Sequence, residues 1–136
     1  MVTPSLESFL ESGKSLVIRA KDQIVFESDD SDLKPLLEYI QKFGPDYGQP
    51  VIFDKYVGRA AALLMTLVKP SRVCAGVLSE NGKAALEEAA LAVEYGSIVK
   101  YLMDVASHNM CRWEKMSLGL DAGQFYDQLR ENIAQS

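Results

Sequence analysis

The sequence predicts an α/β fold, a three-layer α/β/α sandwich built around a mixed β-sheet. Three observations predict it. Segments rich in β-branched residues alternate with segments of helical periodicity, the first two β-rich runs have the pattern of a hairpin, and the later ones are separated by helical stretches that suit parallel crossovers. The chain has 136 residues, of which 48% are hydrophobic and 24% charged, a size and composition typical of one globular core.

The first predicted elements are a helix and a hairpin. Residues 5–11 place leucine and phenylalanine at helical spacing, so we assign 1–14 to an N-terminal helical extension and 15–136 to the α/β domain. The runs 15–20 and 23–28 flank a short polar turn and predict a β-hairpin. The side chains expected to face the core are Leu16, Ile18, Ile24 and Phe26.

Predicted helices and strands alternate through the rest of the chain. A helix over 33–43 precedes a short strand over 51–53. A helix over 57–68, apolar on nearly every face, precedes a strand over 72–78 with apolar residues on both faces, which indicates a buried central helix and a central strand. The remaining elements are a helix over 83–95, a strand over 98–105, a short helix over 112–118 and a helix over 121–133 that begins at a capping box of Asp121 and Gln124.

Charge and hydropathy exclude several classes of partner. A formal net charge of −5 and an isoelectric point near 4.9 give no general attraction to nucleic acid polymers or acidic membranes. The longest apolar run, 60–68, is too short to cross a bilayer. Residues 1–11 contain two acidic and no basic side chains, unlike a secretory or transit peptide, so we expect a cytoplasmic protein. Cys74 and Cys111 are then expected to be reduced thiols.

Two strand-to-helix junctions are candidate ligand sites, because open α/β sheets bind ligands at the carboxyl ends of their strands. The first junction, 53–59, holds Asp54, Lys55, Gly58 and Arg59, and the second, 79–83, holds Ser79, Asn81 and Gly82. A glycine lets a ligand approach the backbone, and free N–H groups at a helix start favour an anion such as phosphate or carboxylate. The alternative interpretation is that Ser79 or Asn81 only caps a helix and Asp54 closes a turn.

From about Ser15 to the C-terminus, the sequence resembles the cytidine-deaminase-like superfamily and, more closely, its branch known as domain-of-unknown-function family 1893. The hairpin and three segments carry the resemblance: Asp54–Leu64, Ser79–Ala84 and Cys111–Lys115. Zinc deaminases place H-x-E and P-C-x-x-C at the starts of two crossover helices. At those two places this chain has Gly58-Arg59-Ala60, and Ser79 with Gly82. The resemblance therefore implies the deaminase layout without its zinc ligands, and we expect neither a metal ion nor a cofactor.

The first functional hypothesis is a binding module for a nucleotide-like, phosphate-bearing small molecule. The phosphate would contact the amides after Gly58 with charge from Lys55 or Arg59, and Asp54 would accept a ribose hydroxyl or an amine. The opposite wall of the pocket would be formed by Ser79, Asn81 and Gly82.

Three further hypotheses stay open. A metal-free transferase or hydrolase of a nucleotide derivative would use Asp54 as nucleophile or base, with Lys55 as its electrostatic partner. An interaction protein would dock its partner on Trp113 and the last helix. Self-association into a homo-oligomer also stays open, with no residues assigned to it. A displaced metal site would combine His108, Cys111 and Glu114, although an isolated histidine more often caps or packs.

Overall fold

The structure is a computed structural model that describes residues 4–30, 32–103 and 112–134. Its elements follow the predicted alternation closely. They are α1 (Pro4–Glu11), β1 (Leu16–Ala20), β2 (Gln23–Ser28), α2 (Lys34–Phe43), β3 (Val51–Val57), α3 (Arg59–Val68), β4 (Arg72–Ser79), α4 (Glu80–Glu88), β5 (Val93–Val99), α5 (Arg112–Ser117) and α6 (Ala122–Ala134).

The five strands form one mixed sheet in the order β2-β1-β3-β4-β5. β1 is antiparallel to both β2 and β3, whereas β3, β4 and β5 are parallel and are connected through α3 and α4. α1 packs on β3 and β4, and α3 contacts α2, α4, α5 and α6. The predicted α/β fold with a mixed sheet and helices on both of its faces is therefore confirmed.

Alternate residues of the strands point into two separate cores. The larger core lies between the sheet and the helices and includes Leu16 and Ile18 of β1 together with most of α3, from Ala60 to Met65. The smaller core lies on the other face, where Leu6 and Phe9 of α1 cover part of the sheet. A pleated strand sends successive side chains to opposite faces, so the two cores follow from the same strands.

The predicted end of β3 was wrong, and this changes the first candidate junction. We expected the strand to stop at Phe53, but it continues to Val57 because it has neighbours on both sides. Asp54 pairs with Leu16 of β1 and with Ala75 of β4. Asp54, Lys55 and Tyr56 are consequently strand residues, and only Gly58 separates the strand from α3.

The boundary between α4 and β5 was also predicted wrongly. The alanine- and leucine-rich run predicted a helix to Tyr95, but α4 ends at Glu88, and Ala90 adopts a positive φ of 60°. Residues from Val93 onward pair in parallel with β4, so sheet pairing outweighs the helical propensity of this stretch. The described part of the predicted strand over 98–105 is strand only through Val99.

Ile24 does not face the core as expected, whereas Leu16, Ile18 and Phe26, the other three hairpin residues expected to do so, do face it. The β1–β2 register shifts between Ile18 and Arg19, where a bulge leaves Val25 without a partner. Because of this shift, Ile24 lies opposite Arg19 on the other face of the sheet, and it is 49% exposed.

The capping box at the start of α6 is confirmed. The Gln124 amide donates a hydrogen bond of 2.8 Å to Asp121 Oδ1, and the Asp121 amide donates one of 3.0 Å to Gln124 Oε1. Cys74 is a free, buried thiol. Among the described residues, the helices are all too short or too polar to cross a membrane. The edge strand β5 exposes Ile98 and Val99, and a homo-oligomer stays a prediction.

Replacing Gly82 by alanine should destabilise the fold, because α4 packs directly on the backbone at the start of α3. A Cβ atom at Gly82 would lie 3.0 Å from both the carbonyl carbon and the oxygen of Gly58, which cannot move aside like a side chain. We expect a loss of about 1–3 kcal/mol in the free energy of unfolding, measured by urea denaturation.

The matched control is Gly123→Ala, because Gly123 also lies in a helix but has open space around it, with its nearest contact at 3.6 Å. That variant should gain roughly 0.5–1 kcal/mol from the helix propensity of alanine. Equal effects of the two substitutions would show that the contact between α4 and α3 does not limit stability.

Candidate functional site

The structure brings the two candidate junctions together at the carboxyl ends of β3 and β4. Gly58 precedes α3 and Ser79 precedes α4. The Ser79 side chain caps α4, where Oγ accepts a hydrogen bond of 2.9 Å from the Gly82 amide. This is the capping role that the alternative interpretation of the sequence described. Gly82 in turn lies against the Gly58 backbone, so the two helix starts are in direct contact.

A buried carboxylate from α5 occupies the space between the two helix starts. Glu114 is only 1% exposed, and its Oε1 accepts hydrogen bonds from the Arg59 amide at 3.2 Å and from the Ser79 hydroxyl at 2.9 Å. A Cβ atom at Gly58 would collide with Glu114 Oε2, so only glycine leaves room for the carboxylate. The helix start that was expected to bind a ligand phosphate therefore binds an anion of the same chain.

The Arg59 side chain binds the end of α5. Its Nε donates to the Ser117 carbonyl at 3.1 Å and its Nη2 donates to the Leu120 carbonyl at 2.9 Å. These carbonyls lie at and just beyond the end of α5, where helices leave acceptors unpaired. The Arg59 guanidinium thus holds the end of the helix that carries Glu114, and the role of Lys55 or Arg59 in binding a phosphate stays a prediction.

Asp54 and Lys55 lie on β3 rather than in a loop at the mouth of the site. Asp54 is partly buried, and its Oδ1 accepts a hydrogen bond of 3.3 Å from the Tyr56 amide. Burial raises the pKa of Asp54 to about 7, against the opposing effect of the Tyr56 and Lys55 amides. Asp54 follows Ile52 by two residues, so both side chains point to the face of β3 that carries the larger core.

Glu114 lines a small cavity. The cavity has a volume of about 60 Å³. Glu114 Oε2 is buried and has no hydrogen-bond partner among the described residues. Leaving a buried acceptor unpaired costs roughly 1–3 kcal/mol. The residues around the cavity are Leu33, Tyr56, Gly58, Ala60, Ala61, Leu102, Trp113 and Glu114.

Two aromatic residues form part of the wall of this cavity. Tyr56 is 46% exposed. Trp113 is partly buried against the larger core, and its Nε1 donates a hydrogen bond of 2.8 Å to Asp32 Oδ1. The Arg112 guanidinium lies 4.1 Å from the centre of the Trp113 ring. Trp113 is therefore held within the chain, whereas Tyr56 is accessible from solvent.

The residues at this point do not fit a zinc ion. Structural and catalytic zinc sites use Cys, His, Asp or Glu in sets of three or four, whereas the side chains here are one carboxylate and one hydroxyl beside two glycines. No group of three such ligands occurs within 4–30, 32–103 and 112–134. The predicted set of His108, Cys111 and Glu114 has its first two members outside the described residues.

Sequence reasoning assigned no main role to Glu114 and named it only as a third metal ligand. It lies 55 residues from Arg59 and 35 from Ser79 along the chain, so local spacing does not indicate the contacts. One signal was available. α3 begins without a side-chain cap, after a glycine, and such a helix start requires an acceptor from elsewhere.

Fold and site together define an α/β protein in which two converging helix starts enclose a carboxylate of the same chain. The chain belongs to the family described as "Domain of unknown function (DUF1893)", whose model matches residues 5–133. A solved structure, the DUF1893 family protein TM1506 from Thermotoga maritima, is similar to it with 27% identity and a TM-score of 0.85, over 94% of this chain and 86% of that one. No curated protein matches the chain. The predicted family is thus confirmed, and the wider relation to cytidine deaminases stays a prediction.

Replacing Gly58 by alanine should be destabilising through the Glu114 side chain rather than through the backbone. Gly58 has a φ of −100°, which alanine adopts readily, but the added methyl group would meet Glu114 Oε2. We expect a loss of about 1–3 kcal/mol on urea denaturation. In a Glu114→Ala background the same substitution should cost less, because the colliding oxygen is gone and the close contact that remains, with Leu102 Cδ1 at 2.9 Å, is with the flexible end of a side chain. A cost that is equal in both backgrounds would contradict this assignment.

The raised pKa of Asp54 predicts a specific dependence of stability on pH. Its pKa is about 7 in the folded protein against an ordinary value of 3.8 for an aspartate in solution, so between these values the folded state binds more protons than the unfolded state. The free energy of unfolding should therefore fall as the pH rises from about 4 to about 7, by at most about 1.4 kcal/mol per pH unit.

Asp54→Asn should remove this contribution, so that the variant gains stability relative to the native chain across the same pH range. Urea denaturation at several pH values measures the difference. Asp22→Asn serves as the control, because Asp22 is exposed in the hairpin turn with a φ of 62°, which asparagine accepts. If both variants follow the native chain at every pH, Asp54 does not titrate near 7.

Proposed function

We propose that this protein is a binding module whose small-molecule ligand donates a hydrogen bond from an amino group to Glu114. The observation that carries the proposal is the buried Oε2 of Glu114, which has no hydrogen-bond partner in the described part of the chain, in a residue that lines a cavity. The ligand is nucleotide-like in one respect, since we assign the amino group to a nucleobase of the adenine or cytosine type.

The chemistry of the cavity requires a donor. Glu114 Oε1 already accepts two hydrogen bonds, so the carboxyl group is held in place by one oxygen and offers the other. A group that donates to Oε2 would recover the free energy lost by burying an unpaired acceptor. The volume of about 60 Å³ suits an amino group or a few water molecules, but not a whole nucleoside.

The rest of the ligand would then lie outside the cavity, against the aromatic wall. Tyr56 offers an exposed ring there, and stacking of a base on an aromatic side chain contributes about 1–3 kcal/mol. A phosphate at the start of α3 is not part of this proposal, because Glu114 already takes the Arg59 amide and a second anion would be repelled. Thus the expected ligand is a base or nucleoside, with any phosphate remote from Gly58.

We further propose that the chain shares the cytidine-deaminase-like layout. The strand order β2-β1-β3-β4-β5, with crossover helices after β3 and β4, supports this relation. On that layout, the positions of the zinc ligands are Gly58 on one helix start and Ser79 and Gly82 on the other, and Ala60 takes the position of the glutamate that transfers protons. Glu114 then stands where a deaminase would carry its metal centre.

A second candidate function is a metal-free hydrolase or transferase that uses Asp54 as a general base. The raised pKa of Asp54 favours it, because a base with a pKa near 7 is present in both protonation states at neutral pH. Asp54 and Tyr56 share one face of β3 by alternation, which directs the Asp54 side chain toward the layer that contains the cavity. This candidate requires a substrate that reaches Asp54.

Calorimetric titration should show binding of cytidine or adenosine and weaker binding of uridine and inosine, in which the amino group is replaced by a carbonyl oxygen. Glu114→Gln is the diagnostic variant, because an amide can keep its oxygen on Arg59 and Ser79 but turns an NH₂ group toward the ligand. We expect at least a tenfold loss of affinity for the amino nucleosides, since hydrogen bonds to charged groups contribute roughly 1.5–3 kcal/mol.

Glu38→Gln is the matched control, because Glu38 is an exposed glutamate on α2, and it should bind like the native chain. Equal affinity for cytidine and uridine, or no effect of Glu114→Gln, would refute the proposal. Chromatography of the same samples after incubation distinguishes the second candidate, in which product forms and the Asp54→Asn variant forms none.

A further inference from the structure

A larger groove lies on the opposite face of the sheet from Glu114, between α1 and the β1–β2 hairpin. It has a volume of about 640 Å³, within the range of pockets that bind small molecules. Its apolar surface comes from Phe9 of α1, Val17 of β1, Ile24 of β2 and Phe53 of β3. None of the functions considered above uses this face.

The groove exists because α1 covers only part of the sheet. α1 has eight residues and packs on β3 and β4, so the outer faces of β1 and β2 are left beside it. The bulge in the hairpin then turns Ile24 onto this same face, where it is 49% exposed. Ile24 therefore adds apolar surface to the groove. None of the described residues covers this surface completely.

Basic side chains outnumber acidic ones in the lining of the groove and of the cavity next to it. Lys14 and Arg19 line it, and an adjoining cavity of about 300 Å³ shares Arg19 and adds Lys21 and Arg72. The acidic residues along both are Asp22 and Glu27, so four basic side chains face two acidic ones although the chain carries a net charge of −5. This local excess of positive charge attracts anions.

Arg19 is the side chain best placed to select a ligand. Glu27 lies 4.0 Å from the Lys14 ammonium group, in an exposed pair. Arg19 forms no ion pair with any residue of the described ranges. It lies opposite Ile24 across the hairpin, so a guanidinium group and an exposed apolar side chain are neighbours on one face.

We propose that this groove binds an amphipathic anion, a carboxylate or phosphate carried on an apolar chain or ring. The anionic head contacts Arg19, whose guanidinium matches both groups with paired hydrogen bonds. The apolar part lies on Phe9, Val17, Ile24 and Phe53. The site is independent of Glu114, because the two lie on opposite faces of the sheet.

Displacement of the fluorescent aromatic anion 1-anilinonaphthalene-8-sulfonate from the folded protein tests the proposal. Dodecanoate and dodecyl phosphate should displace the dye, and uncharged dodecanol should do so at least about tenfold less well. Arg19→Gln should weaken dodecanoate about tenfold and leave dodecanol unchanged, whereas Ile24→Ser should weaken both. Near-ultraviolet circular dichroism of each variant checks that the fold is intact.

The matched control is Arg130→Gln, an exposed arginine on α6 that is paired with Asp127 at 3.7 Å, and it should bind dodecanoate normally. Equal displacement by dodecanoate and dodecanol, or equal effects of Arg19→Gln and Arg130→Gln, would overturn the proposal. Dodecanoate binding should also survive Glu114→Gln. Its loss in that variant would contradict the independence of the two sites and overturn the proposal.

Discussion

The contacts of Glu114 Oε1 connect three parts of the chain that are far apart in sequence. One oxygen accepts from the Arg59 amide at the start of α3 and from the Ser79 hydroxyl, while Ser79 in turn accepts from the Gly82 amide inside α4. Each of these groups would otherwise be a buried donor or acceptor without a partner. The carboxyl group thus satisfies one helix start directly and the other through serine, and it fixes α5 against both.

This arrangement explains why small residues surround the carboxylate. Gly58 leaves the space that Glu114 Oε2 occupies, and Gly82 lets α4 approach the Gly58 carbonyl. Arg59 then secures the helix that carries Glu114, because its two hydrogen bonds reach the carbonyls of Ser117 and Leu120. The residues that predicted a ligand site in the sequence therefore bind, in part, a side chain of the same protein.

Sequence patterns predicted the helices and strands well where interactions between residues close in sequence determine them. The hairpin, the buried α3 and the capping box of α6 depend on turn chemistry, periodicity and residues three apart. Apart from Ile24, which a bulge within the hairpin turns to the other face, the failures involve partners remote in sequence. β3 continues past Phe53 because β1 and β4 pair with it, and β5 replaces the end of a predicted helix because β4 pairs with Val93.

The same distinction applies to the candidate site. The location at the carboxyl ends of β3 and β4 followed from the general behaviour of α/β sheets, and the structure does bring Gly58, Ser79 and Gly82 together. Two features of the site depend on how α5 packs, for which no spacing rule exists. They are the direction of the Arg59 side chain and the position of Glu114 between the two helix starts. A helix start with no cap indicates that an anion is needed, but it does not indicate whether that anion is a ligand or a side chain.

An unpaired oxygen beside such a network has a consequence for the whole site. Oε1 holds Glu114 in place, and no described residue donates a hydrogen bond to Oε2, which leaves a cost of roughly 1–3 kcal/mol for burying that oxygen. A ligand that donates to Oε2 removes that cost only when α5 is docked. On the proposed function, ligand binding and the docking of α5 on α3 are therefore linked, and each stabilises the other by the same free energy.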